Sequence, residues 1–199
     1  MFNDKYGLTD AVLEGRKTMT RRIVPKKLVK YIDNPFSNFV IMKSPYKVGE
    51  IVAVAQSYYN ILKEMSKTYK SYHKPIIYNL FRSQQPNLEE TAGWTNKMFV
   101  KPEIMPHQIR ITSIKVMRLQ DINDQDCLKE GVERYSENDN IVEGILSDEK
   151  IMWDGKLQYL TKSFNSHREA FASLIDKISG KGTWNSNPYV FVYQFELVK

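Results

Sequence analysis

The chain has 199 residues and a mass of 23.3 kDa, with 42% hydrophobic and 26% charged residues. That is ordinary globular usage, and it excludes a collagen or a wholly disordered chain. One cysteine, Cys127, excludes an intramolecular disulfide and leaves too few thiols for a cysteine zinc site, so a reducing cytoplasm is the expected compartment. No stretch approaches the ~18 consecutive apolar residues of a membrane helix. The opening Met-Phe-Asn-Asp-Lys carries an acid and no apolar run, so no secretory signal and no membrane partner are expected. The net charge is +6, and it is lopsided. Residues 16–30 hold seven bases (Arg16, Lys17, Arg21, Arg22, Lys26, Lys27 and Lys30) and no acid, whereas residues 120–150 hold ten acids against three bases.

In chain order, Thr9 can cap a short helix over Asp10–Glu14, closed by Gly15 in a left-handed conformation. The basic run follows, and Pro25 breaks any regular element there. Pro45–Glu50 reads as a turn into a buried β-branched strand, Ile51–Ala55. Residues 57–75 are polar, rich in Tyr and Lys, and show no clean period. Pro75–Tyr78 can begin a strand, and 82–96 reads as a loop. Residues 57–96 are therefore a candidate insertion. Ile109–Leu119 alternates as a strand with mixed burial on both faces. Asn123 or Asp124 caps a helix running through Cys127 and Lys129 to Gly131. Residues 132–162 are acidic and irregular, and 132–163 is a second candidate insertion. Ser166-His-Arg-Glu169 matches a capping box. Phe171, Leu174, Ile175 and Ile178 then form the apolar stripe of a helix ending at Gly180 or Gly182. Tyr189–Val198 is apolar on both faces and reads as a central strand.

The order α, β, β, β, α, α, β lacks the regular alternation of a doubly wound fold. It predicts a single α+β domain over residues 1–199, a small mixed sheet or barrel flanked by helices and bearing the two insertions. No dinucleotide fingerprint, P-loop or nucleophile elbow occurs. His73, His107 and His167 are far apart and show no metal-ligand spacing, so neither a metal nor a cofactor is expected. Asp124, Asp126 and Glu130 lack the ordered spacing of a calcium loop. Cys127, among acids and with no neighbouring His, reads as a buried inert thiol. His107 reads as structural.

The densest signal is Gly15-Arg-Lys-Thr-Met-Thr-Arg-Arg22. Arg offers a planar fork to an anion, Lys a point charge, and Thr a further donor. The composition suits anion recognition, and equally a solvated basic loop. Tyr58, Tyr59, Tyr69, Tyr72 and Tyr78 interleave with Lys63, Lys67, Lys70 and Lys74. Such a pattern suits stacking on nucleobases, or else a segment whose rings pack back on the domain. Trp94 and Trp184 lie in loops, either as base-stacking candidates or as loop anchors.

Gly15-Arg16-Lys17, followed by Thr18, Thr20 and Arg22, resembles the Gly-x-Lys-x-x-x-x-Arg signature of the ASCH domain, a family similar to the PUA RNA-binding fold. Further segments in the same order are similar to that family: Leu8–Glu14, Tyr46–Val52, Val116–Ile122 with Cys127–Gly131, and Gly182–Val192. The chain differs in having Gly49-Glu50 for the family's Gly-Asp, Gln56-Ser57-Tyr58 after the first strand, and Asn187-Pro188-Tyr189 for Asn-Pro-Trp. The resemblance implies a PUA-like small β-barrel that recognises RNA or a modified nucleoside. In this reading Arg16, Thr18, Arg21, Arg22, Trp94 and Trp184 contact the ligand. The family includes an amidohydrolase acting on N4-acetylcytidine, and the resemblance implies a catalytic trio here: Thr20 as nucleophile, Lys17 as proton acceptor and Glu130 as proton donor. On physical grounds alone, Lys17 and Glu130 side by side favour their charged forms, so the same trio can be a structural ion pair with a threonine hydrogen bond. An interaction module using the acidic 132–150 segment is the third reading.

Overall fold

The computed structural model describes residues 2–32, 37–68, 90, 92–137, 140–153 and 156–198, with side chains for all of these except 37, 66–68, 135–137, 140–153 and 156–161. The helices are α1 (Leu8–Leu13), α2 (Lys26–Val29), α3 (Ser37–Met42), α4 (Tyr58–Thr68), α5 (Asp124–Lys129), α6 (His167–Ser179) and α7 (Thr183–Ser186). The strands are β1 (Met19–Ile23), β2 (Ile51–Ala53), β3 (Gln108–Arg118), β4 (Glu133–Glu137), β5 (Asn140–Trp153), β6 (Lys156–Phe164) and β7 (Tyr189–Leu197). Helix and strand are mixed in an α+β architecture whose main sheet is antiparallel and curled into a half-barrel.

The chain divides into two compact units, one of residues 1–2, 52–108 and 199, the other of residues 3–51 and 109–198. In the larger unit β7 organises the sheet. Val190 to Tyr193 are buried without a break, so both faces of this strand are covered. A strand of that kind belongs at the centre of a sheet. β7 pairs antiparallel with β1 on one side and β3 on the other, and the strand order is β1-β7-β3-β2. The turn before β2 is held in the same unit, with Gly49 N–H donating to the Ile111 carbonyl and Ile111 N–H to that of Glu50. β4, β5 and β6 form a second, three-stranded antiparallel sheet.

Some elements follow the local signals. Asn123 accepts from the Asp126 N–H as the cap of α5, and Ser166 accepts from the Glu169 N–H as the cap of α6. Each satisfies an N–H that the helix itself leaves free. The capping box is only half formed, because the Glu169 carboxylate receives the Asn165 N–H and not that of the cap residue. α6 ends at Ser179 with Gly180 as its cap, and its stripe is buried at Phe171, Leu174 and Ile175.

Other elements depart from the expectations. Residues 19–23 of the basic run form β1, because Arg21 finds its counter-charges inside the unit and the segment can pair with β7. The described residues of 133–162 are strands, not irregular, since pairing with neighbouring strands supplies what local pattern lacks. α4 occupies residues expected to lack period, with Tyr58, Ile61, Leu62 and Met65 on its packed side. Thr9 lies inside α1, its hydroxyl donating to Asp4, and Gly7 precedes the helix as its cap. The strand expected at Pro75–Tyr78 and most of the 82–96 loop lie outside the described residues.

The smaller unit has its own small core, with Tyr58, Ile61 and Met105 buried and Leu62, Met65, Trp94, Val100 and Ile104 packed around them. The loop 93–101 closes over the start of α4. Tyr58 N–H donates to the Gly93 carbonyl, Tyr59 N–H to that of Trp94, and Lys101 N–H to the Tyr58 hydroxyl.

Candidate functional site

Three elements of the larger unit set out the site. The loop after α1 turns at Gly15 with φ +75°, and Lys17 N–H donates to the Ala11 carbonyl at 2.8 Å. Thr18 then joins two neighbours, donating its N–H to the Lys129 carbonyl at 3.0 Å and accepting from the Phe195 N–H at 3.0 Å. The loop is thus tied both to the end of α5 and to β7. Residue 130 follows α5, and Gly131 follows it with φ +99°. A Cβ at Gly131 would stand 3.0 Å from Leu8 Cδ2 and 3.6 Å from Lys17 Cδ, in a backbone region that L-residues rarely adopt. The crowding is with Leu8, while Lys17 Cδ stands at ordinary van der Waals distance.

The Lys17 ammonium donates to the Glu130 carbonyl at 2.6 Å and to Glu130 Oε2 at 2.7 Å. Arg21 Nη1 donates to Glu130 Oε1 at 2.9 Å, and Arg21 Nη2 to Asp126 Oδ2 at 3.0 Å. Two cations and two carboxylates thus form one network. Its centre is buried, with Lys17 2%, Arg21 3% and Glu130 4% exposed. The Arg21 guanidinium carbon lies 5.8 Å from the Phe171 ring centre, and its buried Nε has no hydrogen-bond partner among the described residues. Burial pushes the Lys17 ammonium below its usual pKa. The Arg22 and Arg21 charges act in the same direction, while Glu130 opposes them.

Thr20 and Arg21 are consecutive in β1, so their side chains leave the sheet on opposite faces. Thr20 is paired with Tyr193 of β7, and its hydroxyl accepts from Arg22 Nη1 at 3.0 Å. The Tyr193 hydroxyl is 2.7 Å from Ser44 Oγ, Tyr46 stands edge-on to its ring at 5.4 Å, and burial pushes its phenol pKa up. Lys17 and Glu130 therefore meet, whereas Thr20 is hydrogen-bonded to neither of them.

The other expected ligand contacts are spread out. Arg16 is on the surface, paired with Glu14 at 2.6 Å and Glu133 at 3.0 Å. Trp184 is half-buried, edge-on to Phe171 at 6.1 Å, with the Arg168 guanidinium 5.0 Å from its ring centre. Its backbone N–H donates to Asp176, so it anchors the turn between α6 and α7. Trp94 belongs to the core of the smaller unit, edge-on to Tyr59 at 5.9 Å. His107 Nε2 lies 3.9 Å from Glu64 Oε2. Among the described residues no group of three or more His, Cys, Asp and Glu side chains could hold a metal ion.

Asp126 is the member of the network that sequence reasoning did not select. The signal was present: Asp126 and Glu130 are four apart at the end of a helix, which puts two carboxylates on one side. Cys127 is buried in the same helix, and its thiol is pushed up to about 12, chiefly by burial. Among the described residues no helix is long and apolar enough to cross a membrane. Comparison with protein-family models, curated proteins and solved structures gives no match for the chain.

Proposed function

We propose that the chain is a ligand-reading domain of the ASCH type on a PUA-like fold, recognising RNA or a polar nucleoside beside the Lys17–Glu130 pair. One observation carries the reading: a lysine and an arginine, both buried, share a glutamate more than a hundred positions away. Replacing such a buried ionic set by packed apolar side chains is often neutral or stabilising. A polar set kept in the interior of a small unit is therefore better accounted for by a polar ligand than by stability. A carbonyl or phosphate oxygen of the ligand would accept from Lys17 or Arg21, and Glu130 would accept from an amino group on a base edge.

The depressed Lys17 favours a second reading, an amidohydrolase acting on N4-acetylcytidine-type nucleosides. A lysine with a lowered pKa can serve as a general base. Thr20 Oγ would attack the acetyl carbon, its proton would pass to Lys17 Nζ, and Glu130 in its acid form would protonate the departing cytosine amine. Water would then release acetate from Thr20. This route requires Lys17 to leave Glu130 and reach Thr20.

The two readings separate in one experiment. The protein is incubated with N4-acetylcytidine while ultraviolet absorbance is followed, and N4-acetylcytidine and cytidine are titrated by calorimetry in parallel. Binding without turnover, lost in Lys17→Met and Glu130→Gln, is the expected outcome. Turnover abolished by Thr20→Ala would replace it with the hydrolase. Absence of both binding and turnover sinks both for this nucleoside class.

A further inference from the structure

The network at Glu130 changes the meaning of the basic run. Its first part is neutralised: Arg16 pairs with Glu14 and Glu133, Lys17 with Glu130, and Arg21 with Glu130 and Asp126. Its second part is not. Lys26, Lys27 and Lys30 are exposed and make no ion pair among the described residues, and the same holds for Lys43. Residues 24–47 contain five lysines and one acid, Asp33, which lies outside the described residues.

Two of these cations stand over an aromatic pair. Tyr31 and Phe39 meet edge-on at 5.1 Å, with the Lys30 ammonium 5.0 Å from the Tyr31 ring centre and that of Lys43 5.4 Å from the Phe39 ring centre. Phe39 is 36% exposed and Met42 beside it 71%. The segment is anchored from beneath. Val40 is buried, Ser44 meets the Tyr193 hydroxyl, and Lys47 donates to the carbonyls of Met42 and Ser44 at the end of α3. Tyr193 is also the β7 partner of Thr20. The patch is therefore tied to β7 at the residue that pairs with Thr20.

We infer that Lys26, Lys27, Lys30 and Lys43, with Tyr31 and Phe39, form a docking surface for single-stranded RNA. The lysines meet consecutive phosphates, and the rings and Met42 receive unstacked bases. Lys30 and Lys43 at the two rings, with Lys26 and Lys27 exposed on the adjoining α2, match a strand that alternates phosphates and bases. A lipid surface is less well matched, because α2 and α3 have only four and six residues and present no long amphipathic face. The choice of RNA rests on the nucleoside reading above, which it extends from the base to the strand carrying it.

The test uses the full chain, a fluorescein-labelled 20-nucleotide oligouridine, and anisotropy over a range of salt concentrations. Each lost phosphate contact removes about 0.7 from the log–log salt slope for a single strand. The Lys26→Gln/Lys27→Gln/Lys30→Gln/Lys43→Gln variant should therefore bind about tenfold or more weakly at low salt, with a slope smaller by about 3. The corresponding four-arginine variant should bind as the parent does, and circular dichroism confirms that both variants fold. No RNA binding by the parent, unchanged affinity and slope in the glutamine variant, or capture by phosphatidylserine vesicles in place of RNA overturns the inference. Calorimetry with the nucleoside keeps the two readings apart. The glutamine variant should bind nucleoside as the parent does. Lysine-dependent RNA binding without nucleoside binding would leave the surface standing and remove the site, and the converse result would remove the surface alone.

Discussion

At the scale of single residues, Glu130 is the hinge of the electrostatics, since it faces both Lys17 and Arg21. Removing one member of a buried pair leaves an uncompensated charge and costs about 3–5 kcal/mol. Glu130→Gln leaves two cations facing a neutral amide, whereas Lys17→Met leaves Glu130 still paired with Arg21. Urea unfolding should therefore rank Glu130→Gln as the more destabilising, and the double variant should lose less than the sum of the two singles. The Lys17 shift also sets a pH dependence. Its folded pKa lies below the ordinary 10.5, so between those two values the unfolded chain holds more of this proton. The stability this group contributes is then fully present above pH 10.5 and lost as pH falls through the folded value. The stability difference between the parent and Lys17→Met should shift in favour of the parent as pH rises toward 10.5. A flat difference would contradict the burial argument. Cys127, buried and with its thiol pushed to about 12, should resist a thiol-specific reagent at pH 8 in the folded protein and react at once in denaturant. Rapid labelling of the native chain would show that α5 opens.

At the scale of elements, the site depends on the turn that ends α5. Gly131 combines a positive φ with the close approach of Leu8, so Gly131→Ala is strained by its backbone and crowded by its Cβ. A left-handed alanine costs roughly 1–2 kcal/mol, and displacing Leu8 adds to that. Thermal unfolding should show this loss. Gly15→Ala has open space around its Cβ and should show the backbone cost alone. β1 teaches a different lesson about patterning. Met19 and Arg21 share a face, and a binary pattern reads the arginine as a break. It is buried because Asp126 and Glu130 accept its donors and Phe171 covers its plane. The missing information was the placement of α5, which no local window contains.

At the scale of the whole molecule, two units of unequal core share one chain. The larger unit has the continuous buried run of β7 with paired strands on both sides. Among the described residues, the smaller has a cluster of three buried side chains at its centre. Small cores are marginal, and local opening follows contact density. Hydrogen exchange should therefore be slowest at Val190–Tyr193 and faster in α4 around Ile61–Met65. Equal protection in both would mean that the two unfold as one. Much of the architecture is written locally. The turn at Gly49, β3, the caps Asn123 and Ser166, the stripe of α6 and the central character of β7 all follow from periodicity, capping chemistry and two-sided hydrophobicity, because those signals act over a few residues. The same physics explains the limits. Whether a lysine at position 17 is solvated or buried, which carboxylate it meets, and which half of a uniform basic run stays uncompensated depend on contacts more than a hundred positions apart. The amino-acid order alone determined that a cationic segment and an acidic helix end exist; only the fold decided that Lys17 and Arg21 are consumed by Glu130 and Asp126 while Lys26, Lys27 and Lys30 face solvent, because electrostatic pairing is settled by distance and burial.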